Sequence, residues 1–263
     1  MQVERDELLC SVVLAFVEAK VEFASQLADY RQTGKMDFGR LDRFVEHTLF
    51  TLKEDCHFLF RKNTRHQPTE EITGEGLFDI CVGSIFHELM KIKENVYQIE
   101  YYAPLYMAMG RLAEKDAAPS YERAFLEASR KIVRRARRNL TSDLTAAEEL
   151  FRDAADSLKM MLCHYTANPL LARTLIDEQE KVRKCFGIDD VDELLAEIYA
   201  GKLDDAHLAA ARDYLDGGWY KKAAREAKRV LDMDPENIEA KEITRKLSGK
   251  LESAATPARN DGE

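Results

Sequence analysis

Apolar residues recur at intervals of three and four along most of this chain, which is the spacing of helices that bury one face. Residues 3–32 carry such a stripe, formed by Leu9, Val13, Phe16, Phe23, Leu27 and Tyr30. Thr33-Gly34-Lys35 should end this helix, and Asp37 can cap a second one. The second stripe consists of Leu41, Val45, Thr48, Leu52, Cys56 and Leu59. Because the connection is short, we expect the two helices to lie antiparallel.

A third helix should begin near Leu77, after the polar segment 63–76, which has the composition of a loop. Its apolar residues cover more than one face, as in a helix at the centre of a bundle. Pro104 interrupts the pattern and is expected to kink or break this helix near Ala103.

Four further helices are predicted from local start and stop signals. Pro119-Ser120 begins a fourth long segment, and Thr145 with Glu148 forms a capping box for a fifth. Asn168-Pro169 begins a sixth, which stops at Gly187, and residues 190–200 form a short helix that Gly201 ends. No segment alternates with the period of a strand, so the sequence predicts an all-α fold.

Residues 205–237 form the only segment whose spacing is typical of a recurring module. Two short helices are joined by Gly217-Gly218, and Asp234-Pro235 ends the second. The positions that define the pattern hold small, aromatic or apolar residues, namely Ala209, Ala210, Ala211, Tyr214, Tyr220, Ala223 and Leu231. This segment resembles a single tetratricopeptide repeat. It departs from that pattern at His207 and Ala227, where the family has large residues, and no second copy precedes it.

The resemblance implies a protein-interaction unit over residues 188–250, which follows a helical bundle over residues 1–187. The residues expected to bind a partner protein are Arg212, Tyr214, Trp219 and Tyr220. Only Arg212 on the first helix suits an anion, so we do not expect a peptide carboxylate to be held there. Two alternatives are a purely structural hairpin or a contact between copies of the chain, and the helix 77–109 is a competing surface. Residues 251–263 are small and polar and are predicted to form a disordered tail.

The composition narrows the choice of partner. The chain has 263 residues and a net charge of −9, which disfavours a general nucleic-acid binder and an anionic membrane surface. One stretch, 130–138, is nevertheless strongly basic. Arg134, Arg135, Arg137 and Arg138 could contact a phosphate-rich or acidic partner, although a solvated helix face is the simpler interpretation.

The sequence lacks the motifs that several kinds of chemistry require. The five cysteines are scattered without zinc-site spacing, which favours a reduced, cytoplasmic protein. No stretch approaches the length of a membrane span. The motifs of nucleotide-binding loops, dinucleotide folds, serine hydrolases and zinc proteases are missing, and we expect no cofactor.

The remaining enzyme-like pattern is one half of a di-iron motif. Glu54 and His57 have the Glu-x-x-His spacing of ferritin-like bundles, which need two such pairs. The other candidates, His87 and Glu88, are adjacent and point about 100° apart on a helix. A metal-binding bundle or enzyme is therefore the alternative, and the expected function is a non-enzymatic adaptor or scaffold that binds another protein.

Overall fold

The computed structural model describes residues 2–61, 74–113 and 120–255. Within these ranges every regular element is helical, which confirms the predicted all-α class. The elements are α1 Gln2–Thr33, α2 Phe38–Arg43, a π-helical segment Phe44–Leu49, α3 Phe50–Arg61, α4 Gly74–Ala113, α5 Ser120–Leu162, α6 Leu171–Asp177, α7 Gln179–Phe186, α8 Val191–Ile198, α9 Leu203–Asp216, α10 Tyr220–Met233 and α11 Ile238–Ala255. No helix among the described residues is long and apolar enough to cross a membrane.

Contacts divide the chain into two compact units. One comprises Ala15–Ser157, and the other comprises Met1–Leu14 together with Leu158–Glu263. The divisions fall inside α1 and α5, whereas the sequence places a domain boundary after residue 187. Each unit is described below by itself.

The unit 15–157 has a core of interlocking aromatic rings. Phe16 of α1 lies edge-on to Phe78 of α4, with ring centroids 5.3 Å apart. Phe23 of α1 stacks on Phe151 of α5 at 4.9 Å, and Phe60 of α3 meets Phe78 edge-on at 6.3 Å. These contacts assemble a bundle of long helices, because each ring buries a large apolar area at a helix crossing.

The helix that follows the first turn begins as the sequence predicts but contains an irregularity. Asp37 caps α2 by accepting a hydrogen bond from the backbone N of Arg40 at 2.8 Å. The π-helical segment then shifts the register, so that Phe44 and Leu49 are buried as well as Val45. Thr48 of the predicted stripe is only half-buried. Nothing in the apolar spacing indicated this segment.

Two predicted helix ends do not occur, and the kink expected at Pro104 stays a prediction. Helix α4 continues through Pro104 to Ala113, and α5 continues through Thr145 to Leu162. Pro104 and Glu100 are both exposed, so water can bond the Glu100 carbonyl that the proline leaves without an N–H donor. The Thr145 hydroxyl donates to the Thr141 carbonyl at 3.1 Å instead of capping a new helix.

Smaller differences concern helix ends. Helix α4 begins at Gly74 instead of near Leu77, and residues 62–73, which hold most of the predicted loop, lie outside the described residues. The predicted sixth helix is divided at Glu178 into α6 and α7. Helix α11 extends to Ala255, so it includes the start of the predicted tail, and residues 256–263 lie outside the described residues.

In the other unit, short helices pack around apolar residues from every element between α6 and α11. Gly187 ends α7 with a φ of 66°, which a residue without a Cβ adopts easily. Fully or almost fully buried side chains form the core, namely Leu171, Leu175, Val182, Leu194, Leu195, Ala211, Tyr214, Val230 and Ile243. The two helices predicted for residues 205–237 are present as α9 and α10.

Candidate functional site: the α9–α11 surface

Small residues allow α9 and α10 to approach closely. Ala206, Ala210 and Ala211 on α9 and Ala223 and Ala227 on α10 all have no exposed surface. The turn between the helices needs both glycines. Gly218 has a φ of 78°, and a Cβ on Gly217 would lie 2.7 Å from the Trp219 ring. The sequence therefore folds locally as a tight hairpin.

Tyr214 is an internal anchor of this hairpin. It is completely buried, and its hydroxyl donates to Asp177 Oδ1 on α6 at 2.6 Å. Lys222 Nζ donates to the same oxygen at 2.6 Å. Burial and the neighbouring Asp177 carboxylate raise the pKa of Tyr214. We expected Tyr214 to contact a partner, but it has no surface to offer one, and it ties α9 to α6 instead.

The Trp219 side chain packs against neighbouring residues on one side and is exposed on the other. The guanidinium carbon of Arg173 lies 4.8 Å from its ring centroid, and the Tyr214 ring meets it edge-on at 6.1 Å. Arg173 also forms an ion pair with Asp213 at 2.6 Å. The side chain keeps 48% of its surface exposed, so it can still contribute to an interface. Tyr220, the first residue of α10, is half-buried.

A buried charge cluster joins α9, α10 and α8. His207 Nδ1 donates to Glu226 Oε2 at 2.9 Å, and His207 Nε2 lies 3.3 Å from Asp192 Oδ1. Glu226 has no exposed surface and also accepts a hydrogen bond from Arg225 Nε at 2.6 Å. Burial by itself would raise the pKa of Glu226, but the hydrogen bonds from His207 and Arg225 outweigh it, so the pKa is lowered. His207 and Glu226 are inaccessible, whereas Arg225 and Asp192 are partly exposed, and the buried pair stabilises the hairpin.

An open groove lies between α9 and α11. Its volume is about 480 Å³, and its lining includes Arg212, Leu215, Ile238, Glu239, Ile243 and Lys246. Arg212 forms a bidentate ion pair with Glu239, which raises the pKa of Arg212 and lowers that of Glu239. Ile238, at the first position of α11, is 76% exposed. Of the predicted partner-binding residues, the structure therefore brings only Arg212 to this groove.

The basic stretch of α5 is a second charged surface. Arg134, Arg135, Arg137 and Arg138 are all exposed, while Val133 and Ala136 of the same turns are buried. No carboxylate in the part of the chain that the structure describes lies within ion-pairing distance of these four side chains. The basic stretch therefore lies on the exposed face of α5.

The competing surface on α4 is also partly exposed. Tyr97 and Tyr101 stack with ring centroids 5.6 Å apart, and each exposes about half of its side chain. Met107, further along α4, is 52% exposed. These residues lie in the unit 15–157.

The candidate metal ligands are not brought together. Glu54 and His57 are exposed on α3, and His87 is exposed on α4. Glu54 lies 3.6 Å from Lys53, and Glu88 binds Lys91 at 2.8 Å. Across the ranges 2–61, 74–113 and 120–255, no three His, Cys, Asp or Glu side chains are placed to hold a metal ion.

Sequence reasoning missed the His207–Glu226 pair and the α9–α11 groove. The available signal for the pair was His207 itself, which replaces a large residue of the repeat pattern and lies opposite a glutamate on the next helix. The groove gave no signal, because α11 was recognised only as one more helix. No family model, curated protein or solved structure matches the chain.

Proposed function

We propose that this chain is a non-enzymatic adaptor that binds another protein, and that the α9–α11 groove is the contact surface. The resemblance of α9 and α10 to a tetratricopeptide repeat supports this proposal. None of the five cysteines forms a disulfide and three of them are buried, which supports a reducing, cytoplasmic location. In this proposal a second copy of the chain is an alternative occupant of the same groove.

The observation that carries the proposal is the position of Ile238. It is 76% exposed, and it lies at a groove whose lining also includes Leu215 and Ile243. Ligand clefts in proteins commonly have volumes of roughly 300–1,000 Å³, so about 480 Å³ suits a short partner segment. When a partner covers apolar residues at a concave surface, their removal from water favours binding.

The groove also indicates what the partner segment should carry. Arg212 and Glu239 neutralise each other, which leaves Asp216, Glu242 and Lys246 as the other charged residues of the lining. Two carboxylates against one ammonium favour a segment that combines an apolar side chain with a basic one.

The test is affinity capture from a native lysate with groove variants. Leu215→Glu and Ile238→Glu place charges against the apolar lining, so the partners of the wild-type protein should be lost. Met233→Glu is the matched control, because Met233 is an exposed apolar residue of the same hairpin that does not line the groove. If all three variants capture the same proteins as the wild type, the groove is not the contact surface.

A second candidate function is contact with a phosphate-rich or acidic partner through α5. The observation that favours it is the set of four exposed arginines that form no ion pair with any residue of the described structure, on a chain that is acidic overall. Arg134→Gln/Arg138→Gln should weaken retention on a heparin column, whereas Lys221→Gln/Lys228→Gln, the same charge change on exposed α10 lysines, should not. Equal retention of both double variants would contradict a specific α5 surface.

A further inference from the structure

Helix α5 separates its charges along one exposed face, which lies in the unit 15–157. The first half of this face is basic and the second half is acidic. Its charged residues recur at intervals of three and four, the spacing of one helix face, and are all exposed. They include Lys131, Arg135, Arg138, Glu149, Asp153 and Asp156. The opposite face of α5 is buried through Ala136, Leu140, Ala147 and Phe151, so this outer face has no cover from the rest of the chain.

The charges on this face are not compensated within the chain. None of the six side chains forms an ion pair with a residue that the structure describes. Lys131 lies four residues before Arg135, and Glu149 lies four residues before Asp153, so like charges are neighbours on the helix surface. Like charges at this spacing destabilise a helix, and solvated helix faces usually alternate the two signs. A partner that brings the opposite charge to each half would relieve both repulsions.

A second copy of α5 supplies both of the required charges. If the two helices run antiparallel, the basic half of each copy lies along the acidic half of the other. The basic and acidic residues have the same internal spacing, so one register matches them all. It brings Lys131 to Asp156, Arg135 to Asp153 and Arg138 to Glu149 of the second copy. A two-fold axis forms each of these pairs twice.

The centre of the face allows the two helices to approach closely. Ser142 and Thr145 lie between the charged halves, where the two-fold axis would pass, and both are small, uncharged and exposed. The Thr145 hydroxyl already donates to the Thr141 carbonyl at 3.1 Å, so covering it leaves no hydroxyl donor without a partner. The separation of packed helices depends on the side chains at the crossing, and small ones allow short separations.

We propose that the chain forms a two-fold symmetric dimer in which α5 pairs antiparallel with α5 of a second copy. The proposal deepens the second candidate function, because it names the acidic partner of the α5 arginines, and it is independent of the α9–α11 groove. Charge complementarity fixes the orientation, since a parallel pair would bring like halves together. The contact is isologous, so it closes at two copies.

Sedimentation equilibrium of the full chain at two ionic strengths tests the dimer. We expect a dimer at an ionic strength of about 0.1 M and a monomer at about 1 M, because the Debye length falls from about 10 to about 3 Å. A chain that stays monomeric at about 100 μM protein and the lower ionic strength would overturn the proposal.

Charge reversal tests the register of the two helices. Arg138→Glu and Glu149→Arg should each weaken dimerisation at least about tenfold, because the two-fold axis repeats each repulsive contact. The double variant Arg138→Glu/Glu149→Arg should dimerise again. Within one chain these positions are about 16 Å apart along α5, so a contact inside the chain cannot cause the recovery. A double variant that stays as weak as the single variants would contradict the register.

Arg137→Glu is the matched control for Arg138→Glu. Arg137 is also exposed but points about 100° away from Arg138, so its reversal should leave the dimer intact. Equal weakening by the two variants would show that the net charge of α5, and not its face, controls dimerisation.

Heparin retention separates this proposal from the second candidate function. Glu149→Arg should lose the dimer and keep its retention, because it leaves every arginine of the basic stretch in place. If Glu149→Arg dimerises as the wild type does, the antiparallel pairing is wrong whatever its retention. If Arg134→Gln/Arg138→Gln loses the dimer but keeps wild-type retention, the dimer proposal stands and only a phosphate-rich partner is contradicted.

Discussion

Glu226 is a carboxylate with no exposed surface, enclosed by an imidazole on one side and a guanidinium on the other. A buried charge of this kind is costly unless its partners are present. The contacts to His207 and Arg225 supply those partners, and Asp192 lies on the far side of the imidazole. The stability of the hairpin should therefore depend on this residue more than on any surface ion pair nearby.

Glu226→Gln should lower the free energy of unfolding by about 3 kcal/mol, since it leaves the buried His207 and the half-exposed Arg225 facing a neutral amide. The measurement is urea unfolding followed by the fluorescence of Trp219, the only tryptophan. Glu236→Gln is the control, because Glu236 is 90% exposed in its pair with Lys241 and should change stability by less than about 0.5 kcal/mol. Equal effects of the two variants would contradict a stabilising role for the buried cluster.

The pH dependence follows from the lowered pKa of Glu226. A carboxyl group whose pKa is lower in the folded state stabilises the protein above its unfolded pKa, near the ordinary value of 4.5. That contribution is lost as the pH falls through the folded pKa. The difference in unfolding free energy between wild type and Glu226→Gln should therefore be constant above about pH 6 and shrink below about pH 4.5. If the difference in unfolding free energy grew as the pH fell, the prediction would be contradicted.

At the scale of the element, the α9–α10 turn is defined by two glycines that act in different ways. Gly218 needs its positive φ of 78°, while Gly217 needs the absence of a Cβ beside Trp219. The first requirement concerns the backbone, and the second concerns the position of a side chain over Arg173.

Substitution by alanine should separate the two requirements. Gly218→Ala should cost about 1 kcal/mol of stability, because nothing lies within 4 Å of the new Cβ and only the backbone is strained. Gly217→Ala should displace the Trp219 ring from Arg173, and the fluorescence maximum should shift to longer wavelength as the ring gains solvent. Identical emission spectra for both variants would show that Gly217 does not control the ring.

The helices show how far periodicity carries a prediction. Apolar stripes correctly predicted α1, because burial of one face leaves a trace at every third or fourth residue, and Gly217-Gly218 correctly predicted the turn between α9 and α10. Local breaking signals were wrong inside long helices. Pro104 and Thr145 carry the residue types of helix ends, but tertiary packing maintains α4 and α5 through both positions. The π-helical segment leaves no trace in the apolar spacing at all.

At the scale of the whole molecule, the sequence predicted surface charge better than it predicted sites. The exposure of the α5 arginines could be foreseen from their charge, because charged side chains are rarely buried without partners. The burial of Tyr214 could not be foreseen, because its hydrogen-bond partner Asp177 is 37 residues away in the chain. The α9–α11 groove depends on which elements become neighbours, and no single stretch of sequence contains that information.

Site-specific photocrosslinking tests the proposed contact surface most directly. A photoreactive phenylalanine analogue replaces Ile238 in the groove in one variant and Met233 of the same hairpin, outside the groove, in another. If the groove binds a partner protein, irradiation in cells should give a discrete crosslinked species from position 238 and none from position 233. The absence of a crosslink at 238, or the same products from both positions, would contradict the proposal.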